Sequence, residues 1–200
     1  AAMMEPFAVA LHAIKMGVIT KGMSVGIVGT GMIGIAAGQW AKMFGASNVT
    51  VIGRTEDKRK IVENCGLEYV VNSDPSTVCE YNFVLEAVGT PKAIELAISA
   101  TRRGGSLVLM GNPSGDITLS QAVYWKILRK QLKISGTWNS SYDGNNPSDW
   151  TEVVNALANK DIIADSLITH RFSQDKVMSG LELMREHKEP YCKVMTIWNY

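Results

Sequence analysis

Residues 29–34 read Gly-Thr-Gly-Met-Ile-Gly, with glycine at 29, 31 and 34. An apolar run, SVGIV, precedes them at 24–28. After them Ile33, Ala36, Ala37, Trp40, Ala41 and Phe44 fall on one helical face. A glycine turn between a strand and a helix can seat a pyrophosphate. The first glycine permits a tight turn, the second lets backbone approach the phosphates, and the third lets helix and strand pack closely. The helix N-terminus adds free N–H groups and the positive end of its dipole. The chemistry implied by Gly29, Gly31 and Gly34 is dinucleotide binding.

The stretch VIGRTEDK at 51–58 bears on which dinucleotide. About 20 residues beyond such a turn, at the tip of the second strand, an acid would hold the adenosine ribose and repel a 2′-phosphate. Gly53 stands there, followed at once by Arg54, with Lys58 and Arg59 one helical turn on. A guanidinium takes a phosphate bidentately. The missing acid and the arriving bases both favour NADP(H), with NAD(H) the alternative. The other reading makes Arg54, Lys58 and Arg59 a solvated face offset by Glu56 and Asp57. Glu5, at the start of an N-terminal helical pattern, is by composition a first-turn acid favoured by the helix dipole.

The elements that must position these residues alternate along the chain. Apolar runs at 24–28, 49–52, 69–71, 82–88, 106–110 and 132–135 read as six strands. Helical patterns lie at 33–44, 57–65 and from Pro91, whose missing N–H suits a first turn. This predicts an α/β fold of the Rossmann type, a doubly wound six-stranded parallel sheet covered on both faces. After Trp138 the sequence NSSYDGNNPSD reads as a loop or hinge. Helices are predicted at 149–159 and 173–187, and a terminal apolar run at 193–198. Residues 111–119 read as a turn and a short run, ITL, beside the fifth strand, either a hairpin closing on itself or an edge protected by neighbouring chain or by a second copy.

A net charge of +1 over 200 residues gives no reason to expect nucleic acid or a membrane surface as partner. No apolar run approaches the roughly 20 residues of a membrane span, and the N-terminal residues lack a basic leader region. Cys65, Cys79 and Cys192 are scattered and odd in number, which argues for reduced thiols in a cytoplasmic protein. His12, His170 and His187 stand at no zinc spacing. His12 reads as a helix residue.

MEPFAVALHA at 4–13, VGIVGTGMIG at 25–34, EAVGTP at 86–91 and KILRKQLKISGTW at 126–138 resemble the zinc-dependent medium-chain dehydrogenases, in particular the sorbitol and galactitol-1-phosphate dehydrogenase branch. The resemblance runs over essentially the whole chain. It implies a Rossmann domain at 17–138, a connecting segment from a catalytic domain at 1–16, and at 139–200 a C-terminal remnant of that catalytic domain, its first part preceding residue 1. It implies zinc in the parent protein, a polyol or polyol phosphate as substrate, hydride transfer to NAD(P), a homodimer or higher oligomer, and little activity in these residues alone.

By motif, Glu5 matches an acid at or near the zinc, and Met32 and Ile33 join the pyrophosphate turn. Ala87, Val88 and Gly89 match the strand end beside the nicotinamide ribose. Met110, Gly111 and Asn112 match the next strand end, and Thr137 and Trp138 the segment beside the nicotinamide. Many members of the family carry Asp where this chain has Gly53. A non-catalytic nucleotide-binding module and a zinc-free quinone-reductase-like enzyme stay open as alternatives.

Overall fold

A computed structural model describes residues 1–72, 79–142, 144 and 148–198. Six strands form one parallel sheet: β1 (Ser24–Val28), β2 (Asn48–Gly53), β3 (Glu68–Val71), β4 (Tyr81–Glu86), β5 (Thr101–Leu109) and β6 (Lys133–Gly136). Their order is β3-β2-β1-β4-β5-β6. The chain therefore winds outward from β1 in one direction, then returns and winds outward from β4 in the other. That reversal opens a crevice beyond the ends of β1 and β4, where open α/β sheets bind ligands. The doubly wound parallel fold expected from the alternation is the fold observed.

Each face of the sheet has its own core. On one face α1 (Met4–Met16) and α2 (Met32–Met43) bury Phe7, Leu11, Ile14, Ile35 and Trp40 against Ile27, Phe83 and Leu85. Trp40 Nε1 donates to the Phe7 carbonyl at 3.0 Å, so the indole is buried without an orphaned donor. On the other face α4 (Pro91–Ala100) and α5 (Gln121–Lys130) bury Ala93, Ile94, Ala97, Ile98 and Val123 against Val28, Val84 and Leu107. Thr90 caps α4, its hydroxyl accepting from the Ala93 N–H at 3.3 Å, with Pro91 in the first turn.

Helix α5 has no counterpart among the elements expected from the sequence. Only Val123 is buried within it, with Ile127 packed beside it, while Tyr124, Trp125 and Leu128 face outward. The run ITL at 117–119 is not a strand; the sheet ends on β6 instead. Strand β5 starts at Thr101, not 106. The pattern at 57–65 divides into a 3-10 turn (Glu56–Lys58) and a short α3 (Arg59–Glu63).

Beyond β6 lie α6 (Asp149–Asn159), β7 (Ile168–Ser173), α7 (Val177–Glu186) and β8 (Lys193–Ile197). Strands β7 and β8 pair in parallel as a separate sheet, and His170 on β7 lies 3.3 Å from Glu189. Part of the expected hinge, residues 143 and 145–147, falls outside the described residues. No helix among the described residues is long and apolar enough to cross a membrane.

One polar cluster ties α6 to α1. Asp149, 3% exposed, meets His12 Nδ1 at 3.0 Å and Lys15 Nζ at 2.9 Å. It also accepts from the Ser141 N–H at 2.7 Å, and Lys15 reaches Glu152 at 2.5 Å. Burial alone would push the Asp149 carboxyl up. The Lys15 ammonium, the Ser141 N–H and the neighbouring His12 together hold it below its ordinary value of 3.8. A carboxyl lowered in the folded state stabilises fully above its unfolded pKa, and that stability is lost as pH falls through the lowered native value. Asp149→Ala is therefore expected to cost about 2–3 kcal/mol at pH 7. Urea unfolding of both proteins should show this gap closing as pH drops below about 4.

Candidate nucleotide site

A cleft of about 840 Å³ opens at the switch point. Its floor is the glycine turn, with Gly29, Thr30 and Gly31. Val28, Ile52, Ala93 and Leu96 form apolar walls, and Gly53, Arg54, Asn72, Thr90 and Lys92 rim it. A second cleft of about 370 Å³ is lined by Glu5, Ile33, Met110, Gly111, Asn112, Thr137 and Trp138, among others. Ala87 and Val88 line both, so the two clefts adjoin at these residues as the two halves of a trough at the sheet end.

The turn has the geometry its glycines require. Gly29 has φ +124°, a region only glycine occupies freely, and its N–H donates to the Ile52 carbonyl at 3.0 Å. Gly31 caps α2 with extended backbone, and a Cβ there would meet no heavy atom within 4 Å. It would project into open space in the cleft. A Cβ on Gly34 would lie 2.4 Å from the Gly29 carbonyl oxygen, so α2 rests directly on the turn. The first N–H groups of α2, which begins just after Gly31, have no partner within the helix and no side-chain cap, the ordinary setting of an anion site.

At the other end of the trough the loops after β4 and β5 abut. Gly89 has φ +83°, and a Cβ on Gly111 would lie 2.0 Å from the Gly89 nitrogen. Buried Glu86 holds the first of these loops, its Oε1 accepting from the Val88 and Gly89 N–H groups at 2.8 Å each. Glu86 Oε2 and Thr137 Oγ1 are buried without a hydrogen-bond partner among the described residues. Trp138, 77% exposed, overhangs the second cleft.

The structure thus brings together Glu5, Gly29, Gly31, Ile33, Gly53, Arg54, Ala87, Val88, Met110, Gly111, Asn112, Thr137 and Trp138 along one trough. Met32, Gly34 and Gly89 do not line it, and Met32 lies within the core. Lys58 and Arg59 do not line it. The Lys58 ammonium donates to the Tyr191 carbonyl and sits 5.1 Å over the Tyr191 ring. Arg59 is held by Glu56 at 2.5 Å and Glu63 at 3.3 Å. Both bases have nearer partners, so of the bases at 54, 58 and 59 Arg54 alone lines the cleft. Among the described residues Arg54 has no ion-pair partner and lies on the rim. Lys92 was missed from the sequence. Its place just after Pro91, at the start of a helix following a sheet strand, was the signal that could have found it.

A sequence profile of the zinc-binding dehydrogenases matches residues 33–159. The chain belongs to that family. It is 31% identical over 182 residues to galactitol 1-phosphate 5-dehydrogenase of Escherichia coli, covering 86% of this chain and 53% of that protein. It is 27% identical over 197 residues to human sorbitol dehydrogenase, covering 92% and 53%. The crystal structure of galactitol-1-phosphate dehydrogenase from Escherichia coli superposes with a TM-score of 0.82 at 28% identity, over 95% of this chain and 58% of that one. The chain spans about half the length of the curated relatives it matches.

The family name implies zinc, and the residues can be tested against it. Among the described residues no group of three or more His, Cys, Asp or Glu side chains is placed to hold a metal. Glu5 is exposed at the mouth of the second cleft, and a catalytic zinc takes about three protein ligands. Burial pushes the Cys65 and Cys192 thiols up to about 11, so neither offers a thiolate near neutral pH. The described residues do not by themselves fit a zinc site. The trough, by contrast, fits a dinucleotide: an open cradle at Gly31, free N–H groups beneath it, and an unpartnered hydroxyl at Thr137.

Proposed function

We propose that the chain is the dinucleotide-holding part of a polyol or polyol-phosphate dehydrogenase, with NADP(H) preferred over NAD(H). The observation that carries the reading is the pair of adjoining clefts, one lined by Arg54 and Gly31 and the other by Thr137, with Ala87 and Val88 lining both. The pyrophosphate lies over the N-terminus of α2, where Gly31 lets it approach backbone N–H groups. The adenine side fits between Ile52 and Leu96. Arg54, with Lys92 across the rim, neutralises a 2′-phosphate, and Gly53 offers no carboxylate to repel it. At the far end the Thr137 hydroxyl and the loops at Val88 and Met110 orient the nicotinamide. The bound nicotinamide supplies the hydride acceptor or donor. A polyol or polyol-phosphate substrate follows from the likeness to galactitol 1-phosphate 5-dehydrogenase and sorbitol dehydrogenase.

Fluorescence titration with NADPH and NADH, on the wild type and on Arg54→Ala, tests this. NADPH is expected to bind tighter in the wild type. Arg54→Ala should weaken NADPH by about 10- to 100-fold, the worth of a charge-assisted hydrogen-bonded pair, and leave NADH nearly unchanged. Equal affinities in the wild type would refute the NADP(H) preference. Failure to bind either would refute the dinucleotide reading itself.

A further inference from the structure

Gly53 is not in a positive-φ conformation, so its backbone does not demand glycine. Crowding does. A Cβ at 53 would lie 2.0 Å from Tyr69 Oη and 2.7 Å from Thr30 Cγ2. Tyr69 is on β3, which pairs in parallel with β2 so that Tyr69 sits beside Val51 and Val71 beside Gly53. The ring is 5% exposed and leans along the sheet until its hydroxyl fills the space in front of Gly53.

That hydroxyl donates to the Thr55 carbonyl, in the loop that carries Arg54. The ring is itself braced. The Arg59 guanidinium lies 5.0 Å over its face, and Arg59 Nη1 donates to the Tyr69 carbonyl at 3.1 Å. Glu56 and Glu63 fix Arg59 in turn. Arg59, read from sequence as a phosphate ligand, instead holds the residue that shapes the phosphate site.

We infer that Tyr69 is the positioning residue that sets cofactor choice: its ring excludes any carboxylate-bearing side chain at 53, and its bond to Thr55 fastens the loop that presents Arg54. The inference rests on the dinucleotide reading above. Two consequences separate it from the simpler idea that Gly53 alone decides. An acid at 53 cannot serve NADH while Tyr69 is present. Removing only the Tyr69 hydroxyl must affect NADPH and spare NADH, because only NADPH uses Arg54.

The test is NADPH and NADH titration, with thermal melting in parallel, on Gly53→Asp, Tyr69→Phe, Tyr69→Val and Gly53→Asp/Tyr69→Val. Gly53→Asp is expected to melt lower and to bind both cofactors at least about tenfold more weakly, a steric signature. Adding Tyr69→Val should relieve the clash with the ring and turn the preference to NADH, while the lost packing of the buried ring keeps the melting temperature below the wild type. Tyr69→Phe should fold and lose about fivefold or more in NADPH affinity alone, as expected for one hydrogen bond. If Gly53→Asp melts like the wild type and favours NADH by itself, Tyr69 has no such role. If the double variant binds NADH no better than Gly53→Asp does, the exclusion argument fails. A wild type that binds no dinucleotide removes the underlying reading, and this one with it.

Discussion

Gly31→Asp is expected to melt at or slightly above the wild-type temperature while losing at least about 100-fold in dinucleotide affinity, since like charges brought together cost several kcal/mol. The two effects have one cause. Gly31 is the N-cap of α2, with φ −73° and ψ 168°, a conformation aspartate adopts readily. An aspartate there accepts hydrogen bonds from the N–H groups of Ile33 or Gly34, which otherwise lack partners within the helix. Its carboxylate also complements the helix dipole. Space is no obstacle, because nothing lies within 4 Å of a Cβ at this position. Yet those N–H groups are the ones a pyrophosphate needs, and the new carboxylate occupies its place with the same sign of charge. Thermal melting and calorimetric titration with NADPH check the pair of outcomes. Stability and binding falling together would mean that Gly31 matters to the fold rather than to a ligand.

The contrast between what spacing reveals and what it hides is sharpest around β2. The strand ends, the glycine turn and the helix after it were legible because each is a local pattern with a fixed period. So was the α6 helix, found at the residues predicted. The bases at 54, 58 and 59 were not separable by pattern. Glu56 and Glu63 stand three and four residues from Arg59, a spacing that pairs them on a helix, and that signal was present in EDKRKIVE. The capture of Lys58 by Tyr191, 133 residues away, left no local trace. Tyr69 was legible only as a strand residue. That its ring ends in front of Gly53 follows from how β2 and β3 pair, which is a property of the folded sheet. Helix α5 was legible too, since Val123, Tyr124, Ile127 and Leu128 stand at helical spacing, although only Val123 and Ile127 of these pack on the sheet. In the sequence alone Gly53 is the loss of a carboxylate. In the folded chain it is also the only residue type the space beside Tyr69 admits without a shift.

Gly34→Ala should destabilise the chain where Gly38→Ala does not, although both sit inside α2. Either change gains about 1 kcal/mol of intrinsic helix propensity. At Gly34 the added Cβ would lie 2.4 Å from the Gly29 carbonyl oxygen and 3.5 Å from Ile27 Cγ2. The carbonyl is backbone in a turn pinned by the Gly29 N–H bond to Ile52, so it has nowhere to rotate. Helix α2 must lift from β1 along its buried face, an overpacking cost of about 3 kcal/mol. At Gly38 the nearest atom is Leu67 Cδ1 at 2.6 Å, the end of a side chain that can change rotamer at a cost of about 1 kcal/mol. The expected net effects are a loss of about 2 kcal/mol for Gly34→Ala and near zero for Gly38→Ala. In a chain of 200 residues the first corresponds to a fall of about 4–8 °C in melting temperature. Dinucleotide affinity should fall only in Gly34→Ala, because lifting α2 carries its N–H groups away from the turn that aims them. Equal melting temperatures for the two variants would mean that the helix does not rest on the Gly29 carbonyl, and the close seating that gives the third glycine its purpose would be lost with it.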